Sequence, residues 1–253
     1  MDPLVDSPKS PCPQCGGGAF RPESDVMDTW ATSSLTPQIN WKWGEEDQRE
    51  NIFPMALRPQ AHDIIRTWAF YTIAKSLLHS STIPWSHVMI SGHSLNPNRQ
   101  KMSKSKGNVA GDPIAALEQF SADELRYWAC SSKLGTDVVF SKDVLGEGRR
   151  LVTKLWNATR FAEGRLEGFD PAREVELHPF DRWLLSRLTD TVRKATAGME
   201  QYEYSTCMRE TEGFFWKVLC DNYLEIAKGR LYGDDSRGRE AAQYTLYTAF
   251  TLC

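Results

Sequence analysis

The sequence predicts a mixed α/β segment followed by an all-helical one, and three features carry that prediction. Asp63 to Leu78 contains no proline or glycine and repeats apolar residues at helical spacing. It is followed by a short apolar run, Val88-Met89-Ile90, that reads as a buried strand. Beyond Pro179 come three blocks whose apolar stripes have only one another to pack against, so an antiparallel helical bundle is the simplest arrangement.

The elements follow in order. Up to about Glu23 the chain is rich in Pro, Gly and Ser and reads as loop, carrying Cys12-Pro13-Gln14-Cys15 ahead of three glycines. In the helix from Asp63, one side holds Ile64, Trp68, Tyr71 and Lys75 and another Ile65, Ala69, Ile73 and Leu77, and Pro84 stops it. After the Val88 strand, Asn96-Pro97-Asn98 predicts a turn. Asp112 before Pro113 is an N-cap with proline at the first helical position, and Ser121 to Glu124 fits a capping box. Asp137 to Phe140 is a brief extended piece. Ser141 caps a helix to about Arg165, with Val144, Leu145, Leu151, Val152, Leu155, Trp156 and Thr159 as one apolar stripe. Gly168 to Pro179 is a linker. The helical blocks then run from Phe180 to about Tyr202, from about Ser205 to Tyr232, and from Ala241 onward.

Composition sets limits on function. The apolar and charged fractions are those of a water-soluble globular protein, and no apolar run approaches the roughly 20 residues that span a bilayer. The first residues lack the basic and apolar regions of a signal peptide, which predicts a cytoplasmic location. A net charge of −3 argues against a strongly basic nucleic-acid binder, though not against local basic faces. Six cysteines in a chain of this length make no disulfide scaffold, and Cys130, Cys207 and Cys220 read as buried free thiols inside helices.

The most telling stretch is Lys101-Met102-Ser103-Lys104-Ser105, followed by Lys106-Gly107-Asn108. Lysines supply point charge, hydroxyls and backbone N–H groups supply donors, and Gly107 lets the backbone turn, so such a loop can wrap a polyphosphate. Asp25-Val26-Met27-Asp28-Thr29-Trp30-Ala31-Thr32-Ser33-Ser34 lies upstream of it, Asp63-Ile64-Ile65-Arg66-Thr67-Trp68 between, and Val152-Thr153-Lys154-Leu155-Trp156-Asn157-Ala158 downstream.

This ordered series resembles the valyl-tRNA synthetase family of class I aminoacyl-tRNA synthetases, of the archaeal-like type, over nearly the whole chain. The KMSKS string alone is shared by the class; the DVMDTW and DIIRTW strings are what select valine over leucine and isoleucine. The resemblance implies a zinc-knuckle-like loop over 1–24 and the C-terminal half of a doubly wound, Rossmann-like nucleotide-binding domain over 25–108. It further implies a stem-contact linking region over 109–168 and an anticodon-binding helical bundle, incomplete, over 169–253. The implied reaction is activation of valine by ATP with Mg2+ and transfer to tRNA(Val) by a monomeric enzyme. The family's HIGH signature and editing insert have no counterpart here, and the chain stops inside an apolar run. The expectation is therefore a fragment lacking the N-terminal half, the editing domain and the C-terminal end, and inactive alone. A non-catalytic tRNA-binding module, or an isoleucyl- or leucyl-type enzyme, is the alternative.

By the same resemblance, Lys101 and Lys104 meet the charge on the leaving pyrophosphate, with Met102, Ser103 and Ser105 completing the ATP loop. Trp30 and Trp68 are indole walls of the valine site, and Asp63 anchors the substrate ammonium. Arg149, Arg150, Lys154 and Arg160 are candidates for tRNA phosphate contacts, which are sequence-blind and salt-sensitive. Cys12 and Cys15 have zinc-knuckle spacing but supply two of the four ligands a tetrahedral Zn2+ needs; His62 is a remote third.

Half of a doubly wound sheet exposes a strand edge and an apolar surface. Residues 25–108 are therefore expected to be weakly stable or to aggregate in isolation. A sharp cooperative unfolding transition of this chain reported by Trp30 or Trp68 fluorescence would contradict that.

Overall fold

The computed structural model describes residues 8–21, 25, 27–47, 52–103, 107 and 117–253. Lys104, Ser105, Lys106 and Asn108 of the lysine loop, Val26 of the upstream string, and the Asp112-Pro113 cap lie outside the described residues. The chain divides into two compact units, Met1–Arg58 with Asp63–Val88, and Pro59–His62 with Met89–Cys253.

In the first unit, α1 (Thr29–Ser33) is capped by Asp28, whose Oδ1 accepts from the Trp30 N–H at 3.0 Å. Helix α2 spans Thr36–Trp41 with Pro37 in its first turn. Strand β1 (Met55–Ala61) leads through a 3₁₀ turn (His62–Ile64) and a π-helical turn (Ile65–Ala69) into α3 (Phe70–Ser80). Strand β2 (Trp85–Ser91) pairs with β1 in a two-stranded sheet.

The predicted helix over 63–78 is thus present, but its buried face differs. Trp68, Ala69, Thr72 and Ser76 are buried, while Tyr71 and Leu77 are exposed. The π turn advances the phase, and two small polar residues occupy the tight side. Thr72 Oγ1 donates to Trp68 O and Ser76 Oγ to Thr82 O, each at 2.6 Å, so neither is left unsatisfied. The strand through Val88 also forms, but Val88 is 40% exposed, against the expectation of a buried strand. Phe70, Tyr71, Leu77 and Leu78 are likewise exposed on α3.

In the second unit, β3 (Ser94–Leu95) pairs in parallel with β4 (Val138–Val139), Ser94 opposite Val138 and Leu95 opposite Val139. Helix α4 (Ala122–Ser131) opens with the predicted capping box. Glu124 N–H donates to Ser121 Oγ at 3.2 Å, and Ser121 N–H to Glu124 Oε2 at 2.7 Å. Ser141 caps α5 (Lys142–Glu163), also as expected.

The stripe read along α5 is split. Leu145, Gly148, Ala158 and Ala162 are buried, while Val152, Leu155 and Trp156 are exposed. Small residues decide this. A Cβ at Gly148 would lie 2.8 Å from Tyr127 Cβ, so α4 presses onto a glycine rather than onto a leucine.

Helices α6 (Pro179–Glu200), α7 (Tyr204–Gly213), α8 (Leu224–Tyr232) and α9 (Ser236–Leu252) form the bundle, with a π-helical segment, Phe214–Tyr223, joining α7 to α8. The second predicted block is therefore one helical run interrupted by π geometry. The third starts five residues early, because Asp235 caps it through the Arg237 N–H. Leu184, Leu188, Phe215, Leu219, Tyr223, Ala227, Leu246 and Ala249 fill the core at no more than 2% exposure each. At about 1.5–3 kcal/mol per large buried apolar side chain, this core dominates the unit's stability. Of the three helical cysteines only Cys220 is buried, and burial pushes its thiol up to about 11; Cys130 is exposed and Cys207 half-buried.

Among the described residues, one carboxylate sits inside this core. Asp181 is completely buried at the start of α6. It accepts from Arg230 Nη1 and Nη2 at 2.7 Å each, from the Tyr223 hydroxyl at 2.5 Å, and from the His178 N–H at 2.9 Å. Burial alone raises its pKa, but the hydrogen bonds from Arg230 and then Tyr223 outweigh this and hold it below the ordinary Asp value. A depressed carboxylate contributes stability above its unfolded pKa of about 4 and loses it as pH falls through the folded value. The bundle should therefore weaken on acidification below about pH 4. Arg230→Met, which strands a buried charge, should destabilise it by about 3–5 kcal/mol in denaturant titrations.

Candidate active site

Two constellations collect the residues singled out from the sequence. The first lies in the first unit. Trp68, Ala69 and Trp85 form a small core, with Trp30, Met55, Ile64 and Ile73 packed against it. Trp68 is held on several sides. Its Nε1–H donates to Ser33 O at 2.8 Å, its ring stacks on Trp85 with centroids 5.3 Å apart and planes 12° apart, and the Arg58 guanidinium lies 3.8 Å from its ring centroid. The acceptor is the end of α1, where carbonyls lack intrahelical partners; Lys75 Nζ donates to Ala31 O on the same turn. So α1 and the π turn lock each other. Trp30 stays half-buried, and Asp63 is exposed on the 3₁₀ turn.

The second constellation is the entry to the lysine loop. Asn96 is buried; its Oδ1 accepts from the Gln100 N–H at 2.8 Å, and its own N–H donates to Gln100 O at 2.9 Å. Arg99 takes the left-handed conformation, φ +59°, which closes the predicted turn. Lys101 then bridges Leu95 in antiparallel fashion, and the Met102 N–H reaches Ser94 O at 3.4 Å. Strand β3 is thus flanked by Lys101 on one edge and β4 on the other. Lys101 is exposed while its backbone is fixed, and Gly107 has φ +61°, as a turning glycine requires. Gly92 makes this arrangement possible. A Cβ there would collide with the backbone of Thr136 and Asp137, while Asp137 Oδ1 accepts from the His93 N–H at 2.7 Å.

The candidate tRNA-contact residues are on α5 and divide into two kinds. Arg149 is paired with Glu124, a buried carboxylate that Arg149's hydrogen bond, first of all, holds below its usual value. Lys154 lies 5.3 Å from the ring centroid of Trp216. Arg150 and Arg160 are exposed. Trp156, 66% exposed on the same helix, was not marked by its position in the predicted stripe.

Cys12 and Cys15 form a compact turn. The Gly16 N–H donates to Cys12 O at 2.8 Å and the Cys12 N–H to Gly17 O at 2.9 Å. The Cys15 N–H, then the Gln14 N–H and the Cys15 side chain, lower the Cys12 pKa. That suits a metal thiolate, yet the described residues contain no group of three or more His, Cys, Asp or Glu able to hold an ion. Two thiols are half a tetrahedral set, and His62 does not complete it.

Arg58, Trp85 and Gly92 were not anticipated, and Asn96 only as part of a turn. Trp85, at the head of a strand after proline, was the most legible of them; nothing in the sequence around Arg58 points to its partner.

An α/β part with a lysine loop and a helical bundle after it define a known class. The family model for tRNA synthetases class I (I, L, M and V) matches residues 5–141, and that for the anticodon-binding domain of tRNA ligase matches residues 181–252. The chain belongs to the class I tRNA synthetase family, with part of a Rossmann-like catalytic domain followed by an all-helical anticodon-binding region. Solved structures agree on the fold. The LeuRS of Agrobacterium radiobacter K84, in a ternary complex with tRNA and LeuAMS, matches with TM-score 0.69 at 19% identity over 96% of this chain and 31% of its own. Mycobacterium tuberculosis methionyl-tRNA synthetase bound by methionyl-adenylate matches with TM-score 0.70 at 18% identity over 87% and 44%.

Within the family, the similarity is to valine–tRNA ligases. That of Rickettsia conorii is 44% identical over 265 residues, 99% of this chain and 32% of the relative. That of Rickettsia felis is 44% identical over 98% and 30%. The chain spans about a third of the length of the curated relatives it matches.

Gly92→Ala should break the β3 to β4 approach and cost about 1–3 kcal/mol. Thermal melts, and faster hydrogen exchange at the His93 and Val138 amides, would report it.

Proposed function

We propose that this chain is the part of a valine–tRNA ligase that supplies the ATP loop, part of the amino-acid site and a tRNA-binding bundle. The observation that carries this is the 44% identity to valine–tRNA ligases over 99% of the chain, together with an intact KMSKS string. The family model alone covers four amino acids; the likeness to valine–tRNA ligases supports valine among them. Residues 25–108 are the second half of the catalytic domain, 109–168 the linking region and 169–253 the bundle.

In the first chemical step the valine carboxylate attacks the α-phosphate of ATP and pyrophosphate leaves. Lys101 and Lys104 stabilise the charge that builds on the leaving phosphates, with donors from Ser103 and Ser105 and backbone around Met102. Mg2+ would come with the ATP phosphates and neutralise part of their charge. Trp30 offers the apolar wall for the valine side chain, Trp68 is the rigid wall behind it, and Asp63 takes the ammonium. Because Glu124 engages Arg149, tRNA phosphates fall chiefly to Arg150, Arg160 and Lys154. Zinc binding at Cys12 and Cys15 needs two ligands from outside the described residues. The protein acts as a monomer in the cytoplasm.

A charge-assisted hydrogen bond is worth about 1.5–3 kcal/mol, and about 1.4 kcal/mol is a decade in rate. Lys104→Ala, placed in the full-length enzyme, should slow valine-dependent ATP–pyrophosphate exchange about 10–100-fold with the valine KM nearly unchanged. Unchanged exchange, or exchange that prefers isoleucine or leucine, would refute this assignment.

A further inference from the structure

Arg58 is held in an unusual way for a cation. It sits on β1, half-buried, and burial lowers its pKa. Its Nε is buried without a hydrogen-bond partner. What the described residues give it instead is an indole face, with the guanidinium carbon 3.8 Å from the Trp68 ring centroid. At that distance two planar groups are in van der Waals contact, and no third group fits between them. Trp68 is accordingly only 4% exposed. Trp30, packed against the same cluster, keeps an accessible surface.

We propose that Arg58 is a fixed cover on Trp68: a positioning residue that holds the indole plane and closes that face to ligand, confining a small apolar side chain to the Trp30 side. This rests on the reading of Trp30 and Trp68 as walls of the amino-acid site, and it adds the element that limits the size of that site. A site bounded by Trp30 and a covered Trp68 is shallow. Loss of the cover frees a flat apolar surface as wide as an indole, which larger aliphatic side chains can use. Selectivity for a small branched side chain would then depend on a residue that itself contacts no substrate. Lysine would not replace it, because an ammonium is a point charge and cannot lie flat on the ring.

The test uses this chain labelled with 5-fluorotryptophan, the Trp30 and Trp68 resonances being assigned with Trp30→Phe and Trp68→Phe. A soluble paramagnetic quencher should broaden the Trp30 signal and spare Trp68. In Arg58→Ala the Trp68 signal should broaden too, while the dispersion of the other tryptophans persists. Should Arg58→Ala lose that dispersion, Arg58→Gln, which is polar but too short to reach the ring, takes its place with the same expected broadening. A Trp68 signal that stays sharp in a folded variant overturns the proposal. Titration of the full-length enzyme, labelled and assigned in the same way, with valine and then leucine separates the two readings. In the unsubstituted enzyme valine should shift Trp30 alone, and in the Arg58→Ala enzyme leucine should shift Trp68 as well. If no amino acid shifts either signal, the amino-acid-site reading fails, and the quencher result alone decides the cover.

Discussion

The bundle depends on a single buried carboxylate. Asp181 caps the start of α6 and is at once bound to Arg230 on α8 and Tyr223 on the π segment. The apolar core drives helices together but says little about register, since leucines tolerate sliding and repacking. A carboxylate with four donors does not: any shift leaves a charge in a low-dielectric interior. The network therefore selects one alignment of α6 against α8. Farther along the chain, Gln243 Nε2 on α9 donates to Arg165 O beyond α5, at 2.6 Å, and closes the same unit.

The first unit has a different anchor, the Trp68 ring between α1 and the strands. Its support is local and small, three buried apolar residues, while Phe70, Leu77 and Leu78 remain exposed on α3. Thus the two units differ in the kind of cohesion they have. One has a core with a polar key; the other has an aromatic cluster and an uncovered apolar face. The entry to the lysine loop is firm where backbone meets backbone, at Gly92, Asn96 and the bridge from Leu95 to Lys101.

Caps and turns were the most legible features of the sequence. Ser121, Ser141 and the Asn96 turn act through neighbours two to four residues away, so a local reading suffices. The bundle was legible from apolar stripes, because Leu184, Leu188 and Leu219 are where periodicity puts them. What could not be read depends on distant partners. The π segments at Ile65–Ala69 and Phe214–Tyr223 reset the helical phase without any residue that announces them. Thr72 and Ser76 are buried because their hydroxyls find carbonyls, a condition invisible to an apolar pattern. Arg149, a candidate tRNA contact, also engages the distant Glu124, and Val152 and Trp156, placed on one apolar stripe, are exposed because the helix contact is made at Gly148. Trp30 and Trp68 were legible as a pair only through their flanking strings, and Arg58 not at all.

The account joins an α/β part that carries the lysine loop to a helical unit with its own core. The most direct test is binding of tRNA(Val) to this chain without ATP or amino acid, measured by fluorescence anisotropy across a salt series. The account predicts binding that weakens steeply with salt and weakens further when Arg150 and Arg160 are replaced by alanine. No binding at low salt, or binding indifferent to those two arginines and to salt, would contradict it.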